Sequence, residues 1–336
     1  MSEHLKTMRS TIATVNVLIA GLLSAALLCA CGGGPTASTP QLSSLDVQSA
    51  LQVQPDKGSN FGRWIYSAHL YGEDLKIYEQ NGSSLILFGE FTSGVKFPEG
   101  TKVTPNGWWY ATNAGNSNVL VYKSKKSGPV GPFPPLQDNG QIPVNVDALP
   151  NRRLVAVSNQ GSGSVPGSVS VYLNRQTDPS RTLTYGSGPA VGMGIAIDHQ
   201  GDCYWSFNGA GSGSGTIVKF TGCNGSGTLV VSGITRVGGI IFDQSGNLYY
   251  VDQTSGIYQC KKTANCKNFL GLSTPGLVQP YNMNFDYKSK DIWVADLAGY
   301  IVEISGLNNP KKLQVMRYAD GSPSDPPYGV APAPGQ

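Results

Sequence analysis

Two stretches decide the reading of this chain: GMGIAIDHQGDCYWSFN at residues 192–208 and GGIIFDQSGNLYYVD at residues 238–252. Each carries a short apolar segment ending in Asp, a Gly-bearing turn, and a second segment rich in Tyr, Trp and Val. Apolar runs of this length, bounded by Gly and Asp, read as paired strands. The phrase returns six times, opening at Pro98-Glu99-Gly100, Pro143-Val144-Asn145, Gly192-Met193-Gly194, Val237-Gly238-Gly239, Pro280-Tyr281-Asn282 and Pro327-Tyr328-Gly329. The first residues of these openings are 45, 49, 45, 43 and 47 positions apart. A third strand follows in GTIVKF, GIYQC and YIVEI, and a weaker fourth in GTLVVSG.

Four short antiparallel strands in every ~40 to 45 residues are the signature of a β-propeller blade. The last copy is cut short, since Pro327-Tyr328-Gly329 leads only into VAPAPGQ. Its missing strands lie at the other end, in RWIYSAH, DLKIYEQ and SSLILFG from Arg63 onward. The expected fold is therefore all-β, a six-bladed β-propeller with four-stranded antiparallel blades. Its ring is closed by a blade shared between the N- and C-terminal segments, which leaves no long open edge.

Upstream of these repeats, Lys6 and Arg9 precede an apolar run from about Ile12 through Leu28, and Leu28-Cys29-Ala30-Cys31 follows. That order is the layout of a secretory signal, and the last four residues resemble the lipobox of bacterial lipoproteins. The resemblance implies cleavage after residue 30 and a palmitate-type acyl lipid on Cys31. An uncleaved membrane anchor, the competing reading, has no use for a cysteine there. Residues 31–60, in which GGGPTASTPQLSS follows Cys31, are expected to be a flexible tether, with the propeller over 61–336. The expected location is the extracytoplasmic side of the bacterial cell envelope, with the membrane as a partner through the lipid.

With 24 Lys and Arg against 21 Asp and Glu among 336 residues, the chain has a net charge of +3. So weak and mixed a balance argues against nucleic acid as a partner. The basic cluster Lys123, Lys125 and Lys126 falls where a hairpin turn is expected. Cys203 opens a second strand and Cys223 follows the adjacent third, while Cys260 and Cys266 flank a hairpin turn. Antiparallel pairing brings both pairs within disulfide reach, an assignment that suits an exported chain; free thiols are the alternative.

The phrase Gly194 to Asp198 with Gly201 and Tyr204, echoed by Gly239 to Asp243 with Gly246, Asn247 and Tyr249, resembles NHL-repeat propellers. The superfamily also holds the SMP-30/gluconolactonase-like hydrolases, which bind a divalent metal such as calcium through one Glu and several Asn or Asp residues at the blade openings. Glu99-Gly100 in FPEGTKV is similar to the Glu-Gly that begins that site. Elsewhere the variable positions carry Val144, Met193, Gly238, Tyr281 and Tyr328, with Asn145 and Asn282 one residue along. Hard cations need several oxygen ligands, so no cofactor and no metal are expected except under a lactonase-like alternative with a reduced metal set.

No catalytic residue emerges. His69 ends a second strand on the ligand face but has no recognisable nucleophile and orienting acid beside it, and His199 falls in a turn on the opposite face. Asn113, Asn159, Asn208, Asp252 and Asp296, recurring at second-strand ends, are expected to bond within turns, as are Asp198, Asp243 and Asp286. What remains at the mouth is Glu99, Asn145, Met193, Arg236, Tyr281, Asn282 and Tyr328. Such a set suits the binding, without catalysis, of a small polar ligand, a sugar, a peptide or an envelope protein; a lactonase-like hydrolase and a purely structural scaffold are the alternatives.

Overall fold

A computed structural model describes residues 63–333 apart from 126–127, 162–164, 187–189, 210–213, 275–276, 306, 308–311 and 318–323. The signal segment, Cys31 and the tether lie outside the described residues, as does Lys126.

The alternating apolar segments form strands where the repeats place them. The chain enters through β1 (Arg63–His69), β2 (Asp74–Asn81) and β3 (Ser84–Phe91). Blade II is β4 (Thr101–Val103), β5 (Trp108–Asn113), β6 (Asn118–Lys123) and β7 (Val130–Gln137). Blade III is β8 (Pro143–Ala148), β9 (Leu154–Asn159), β10 (Ser168–Leu173) and β11 (Arg181–Leu183). Blade IV comprises β12 (Ala190–Ile197), β13 (Cys203–Gly209), β14 (Gly215–Phe220) and β15 (Thr228–Ile234). Blade V comprises β16 (Val237–Phe242), β17 (Leu248–Asp252), β18 (Gly256–Lys261) and β19 (Ala264–Gly271). Blade VI comprises β20 (Pro280–Phe285), β21 (Ile292–Asp296), β22 (Tyr300–Ser305) and β23 (Lys312–Arg317). The final strand, β24 (Pro327–Pro332), pairs antiparallel with β1 in the register Ile65↔Pro332 and Ser67↔Val330, completing blade I as β24-β1-β2-β3. The six four-stranded sheets are the expected propeller, closed through the shared blade.

The core is divided into six seams, each between neighbouring blades. Side chains on a strand alternate between the two faces of the sheet. Accordingly, Trp109 packs into the seam with blade I and the next residue, Tyr110, into the seam with blade III. Likewise Tyr204 faces blade V while Trp205 faces blade III. The first seam is a run of rings, with Trp109 stacked on Tyr66 at 4.3 Å and on Tyr122 at 4.6 Å between centroids. At the closing seam Arg63 of β1 pairs with Asp286 and Glu303 of blade VI and lies 4.8 Å over the Trp293 ring.

The turn residues Asp198 and Asp243 act as expected, whereas residues at the second-strand ends also reach beyond their own turns. Asp198 accepts from the backbone nitrogens of Gln200 and Asp202, and Asp243 from those of Ser245 and Asn247. At the other end, Asn208 bonds both backbone groups of Val237, and Asp296 accepts from Val278 and Gln279. His199 is exposed in the β12–β13 turn. Lys123 donates to the Asn106 carbonyl and lies 4.8 Å over the Trp108 ring.

Both disulfides form as paired. Cys203–Cys223 has a Cα separation of 4.7 Å and spans 20 residues, and Cys260–Cys266 spans 6. Because loop-closure entropy grows with the length of the loop, replacing both Cys203 and Cys223 by Ala should cost ~3 kcal/mol, and replacing Cys260 and Cys266 only ~2 kcal/mol. Urea melts of the two double variants check this, and an equal or larger loss from the second pair would contradict it.

Candidate functional site

The opening phrase has a structural meaning that its sequence does not announce. At four openings the pairing register slips: between Pro143 and Asn145, Gly192 and Gly194, Val237 and Ile240, and Pro280 and Asn282. A fifth slip falls where His69 pairs with Pro327 and Ala68 with Gly329, leaving Tyr328 between. The variable residues Val144, Met193, Gly238, Tyr281 and Tyr328 are therefore bulge residues, released from the ladder so that their side chains are re-aimed. In blade II, Glu99 holds the equivalent place before β4, and Thr112 secures it by accepting from the Gly100 nitrogen at 2.7 Å.

The residue after each of these six positions forms the floor of the mouth. Four of these are glycines, and the close approach requires it: a Cβ on Gly239 would lie 2.4 Å from Asn282 Oδ1, and one on Gly100 2.6 Å from Asn145 Cα. The other two are Asn145 and Asn282, on blades III and VI, which stand opposite each other in the ring. Asn145 Nδ2 donates to Asn282 Oδ1 at 3.0 Å, so the amide pair spans the channel. The same Oδ1 accepts from the Met283 backbone at 2.8 Å.

A second polar layer lies below. Lys102 Nζ meets Asp147 Oδ1 at 2.9 Å, Asp147 Oδ2 accepts from Ile197 N at 2.7 Å, and Asn284 Nδ2 donates to the carbonyls of Thr101 and Val330. Burial alone would lower the Lys102 ammonium, but Asp147 outweighs it and holds the group above its ordinary value.

Above the floor, Tyr281 and Tyr328 meet edge to face at 5.1 Å, and Tyr328 meets Tyr71 the same way at 5.8 Å, with their hydroxyls 3.1 Å apart. Tyr281 donates to Glu99 Oε2 at 3.0 Å. Only 8% of Glu99 is exposed; burial pushes its carboxyl up to about 7, against the opposing pull of the Tyr281 hydroxyl. Burial, with the Glu99 charge next in weight, holds the Tyr281 phenol well above its ordinary range, while Arg236 pulls it down. Arg236 is exposed, and its charge acts on both Tyr281 and Tyr328.

The mouth thus joins Tyr281, Tyr328, Glu99 and Arg236, with Asn145 and Asn282 closed on each other beneath. Half-buried Met193 instead packs against the apolar seam between blades IV and V. Sequence reasoning missed Tyr71, 46% exposed in the β1–β2 turn. Its signal was position, since that turn follows a second strand and belongs to the same end as the openings. The buried Lys102–Asp147 pair was also missed. His69 is present at this end but buried at 1% exposure, so it does not reach the mouth.

No protein-family model matches the chain, and comparison with curated protein sequences finds no match. Among solved structures, the chain is similar to virginiamycin B lyase from Staphylococcus aureus, with a TM-score of 0.52 and 11% identity over 77% of this chain and 84% of that one. A calcium-binding regucalcin from Agrobacterium tumefaciens gives a TM-score of 0.48 and 12% identity over 66% and 74% of the two chains. The Dos1 propeller gives 0.47 and 9% over 74% and 65%. At these identities the likeness is one of fold: the chain is a six-bladed β-propeller, and its site must speak for its chemistry.

Glu99 offers a direct check. Its folded value near 7 lies above the ordinary 4.5, so folding favours the protonated form. The stability this gives is complete below pH ~4.5 and is lost as pH rises through ~7, to the extent of ~3 kcal/mol. Glu99→Gln should match the wild type at pH 4 and exceed its urea midpoint at pH 8.5. Parallel curves for the two proteins across that range would refute the buried, protonated carboxyl.

Proposed function

We propose that this chain is an exported bacterial lipoprotein, anchored by lipid on Cys31 at the extracytoplasmic side of the cell envelope, whose propeller binds a small ligand without catalysing a reaction. The observation that carries the reading is the commitment of the mouth's oxygens. Asn282 Oδ1 already accepts two hydrogen bonds and Glu99 is engaged by Tyr281. A lactonase-like site would have to aim these same oxygens at a metal.

What the mouth offers instead is a run of tyrosines beside an exposed guanidinium. Aromatic faces pack against the apolar face of a sugar ring, and hydroxyl and guanidinium groups bond its polar edge. A carbohydrate is the ligand class favoured here, and a short peptide uses the same contacts less fully. The tether of residues 31–60 would hold the domain near the membrane without dictating how the mouth is turned.

Titration of soluble oligosaccharides, followed by tyrosine fluorescence and calorimetry, should find a saturable ligand. Tyr71→Ala and Arg236→Ala, both at exposed positions, should weaken that ligand at least tenfold while leaving the melting temperature within a degree or two. Metal-dependent hydrolysis of lactones, abolished by Glu99→Gln, would replace this reading with the hydrolase.

A further inference from the structure

At the same end of the ring, beside the mouth, the shared blade gathers a second group of side chains that ligand binding does not use. His69 ends β1, Asp74 begins β2, and Asp325 lies two residues before β24. One donor atom from each falls within 4.8 Å of the others. His69 Nδ1 is 3.3 Å from Asp325 Oδ2 and 3.0 Å from the Asp325 carbonyl oxygen. Gly72 passes between the carboxylates. Its nitrogen donates to Asp325 Oδ1 at 2.9 Å, and a Cβ on it would lie 2.5 Å from Asp325 Oδ2 and 2.6 Å from Asp74 Oδ2.

Two features suit a cation here. Asp74 is 5% exposed, yet its Oδ1 has no hydrogen-bond partner, and a buried acceptor left without one costs ~1–3 kcal/mol. In addition, Lys76 Nζ bridges the two carboxylates, 3.3 Å from Asp325 Oδ2 and 3.8 Å from Asp74 Oδ2, beside the His69 imidazole.

We propose that His69, Asp74 and Asp325 form a binding site for a divalent transition-metal ion of the zinc class, which ties the C-terminal segment to the N-terminal strands where the ring closes. One imidazole nitrogen and two carboxylate oxygens are a donor set that such ions accept at ~2.0–2.2 Å, with water completing a tetrahedron. Ligand atoms in that tetrahedron stand roughly 3.4 Å apart, so the observed spacing needs only a small rotamer closure. Calcium, which takes six to eight oxygens, is poorly served by the same trio. Without metal, the Lys76 ammonium takes the cation's place between the carboxylates, and the dication displaces it. The Asp325 side chain, 16% exposed, gives the ion a path from solvent.

The full chain, freed of metal by a chelator, is titrated with zinc chloride by calorimetry and melted with and without the ion. One zinc should bind and raise the melting temperature, while calcium chloride at the same concentration should not. Asp74→Asn should weaken zinc at least tenfold, with Asp325→Asn as the second variant should the first not fold. Lys76→Met removes the competing ammonium and should tighten zinc severalfold, an outcome that a purely structural ion network does not produce. The proposal is overturned by wild-type and Lys76→Met proteins that melt cooperatively without any zinc-dependent shift. It is equally overturned by a folded Asp74→Asn protein that binds zinc as tightly as wild type.

Discussion

Each blade of this propeller is buried on both faces, and most of the architecture follows from that. A second strand such as β5 or β13 sends successive aromatic side chains to opposite seams, so no blade can complete its packing without neighbours on both sides. A linear array would leave two apolar faces open to water at ~25 cal/mol per Å² of apolar surface. Closing the ring removes both. Since the first and last described strands both belong to blade I, the closure is held by the β1–β24 ladder, by the seam with blade VI and by the Arg63 pairings.

Closure also decides the character of the channel. Inner strands drawn this close admit little side-chain volume, which is why glycine or asparagine follows the variable residue of the opening in every blade. The polar floor is a consequence, since backbone and amide groups withdrawn from water must find partners. Asn145 and Asn282 find each other, and Lys102 finds Asp147. Chemistry is thereby confined to the rim of the mouth, where the bulges release Tyr281 and Tyr328 from the ladder and burial raises the Glu99 carboxyl to about 7.

The bulges bear on how sequence relates to site. Their positions were visible as the one variable residue in a recurring phrase, yet a slip in register does not show in composition. Tyr281 and Tyr328 could be placed at the mouth because the phrase fixes their depth in the blade. Met193 occupies the same place in the phrase but turns to the apolar seam, because a flexible thioether gains more there than in water. Tyr71 escaped notice because its turn belongs to no repeated phrase.

From the sequence alone came the blade count, the strands, the shared blade and both cysteine pairings. The strands and cysteine pairings rest on period-two alternation and on neighbours a few to twenty residues apart, while the blade count and the shared blade rest on the repeat period and its truncated last copy, all of it order along the chain. Only the tertiary structure decided which distant residues meet: Asn145 with Asn282 across 137 positions, Glu99 with Tyr281 across 182, and His69 with Asp325 across 256. Those contacts exist because the ring closes, and closure is a property of all six seams together.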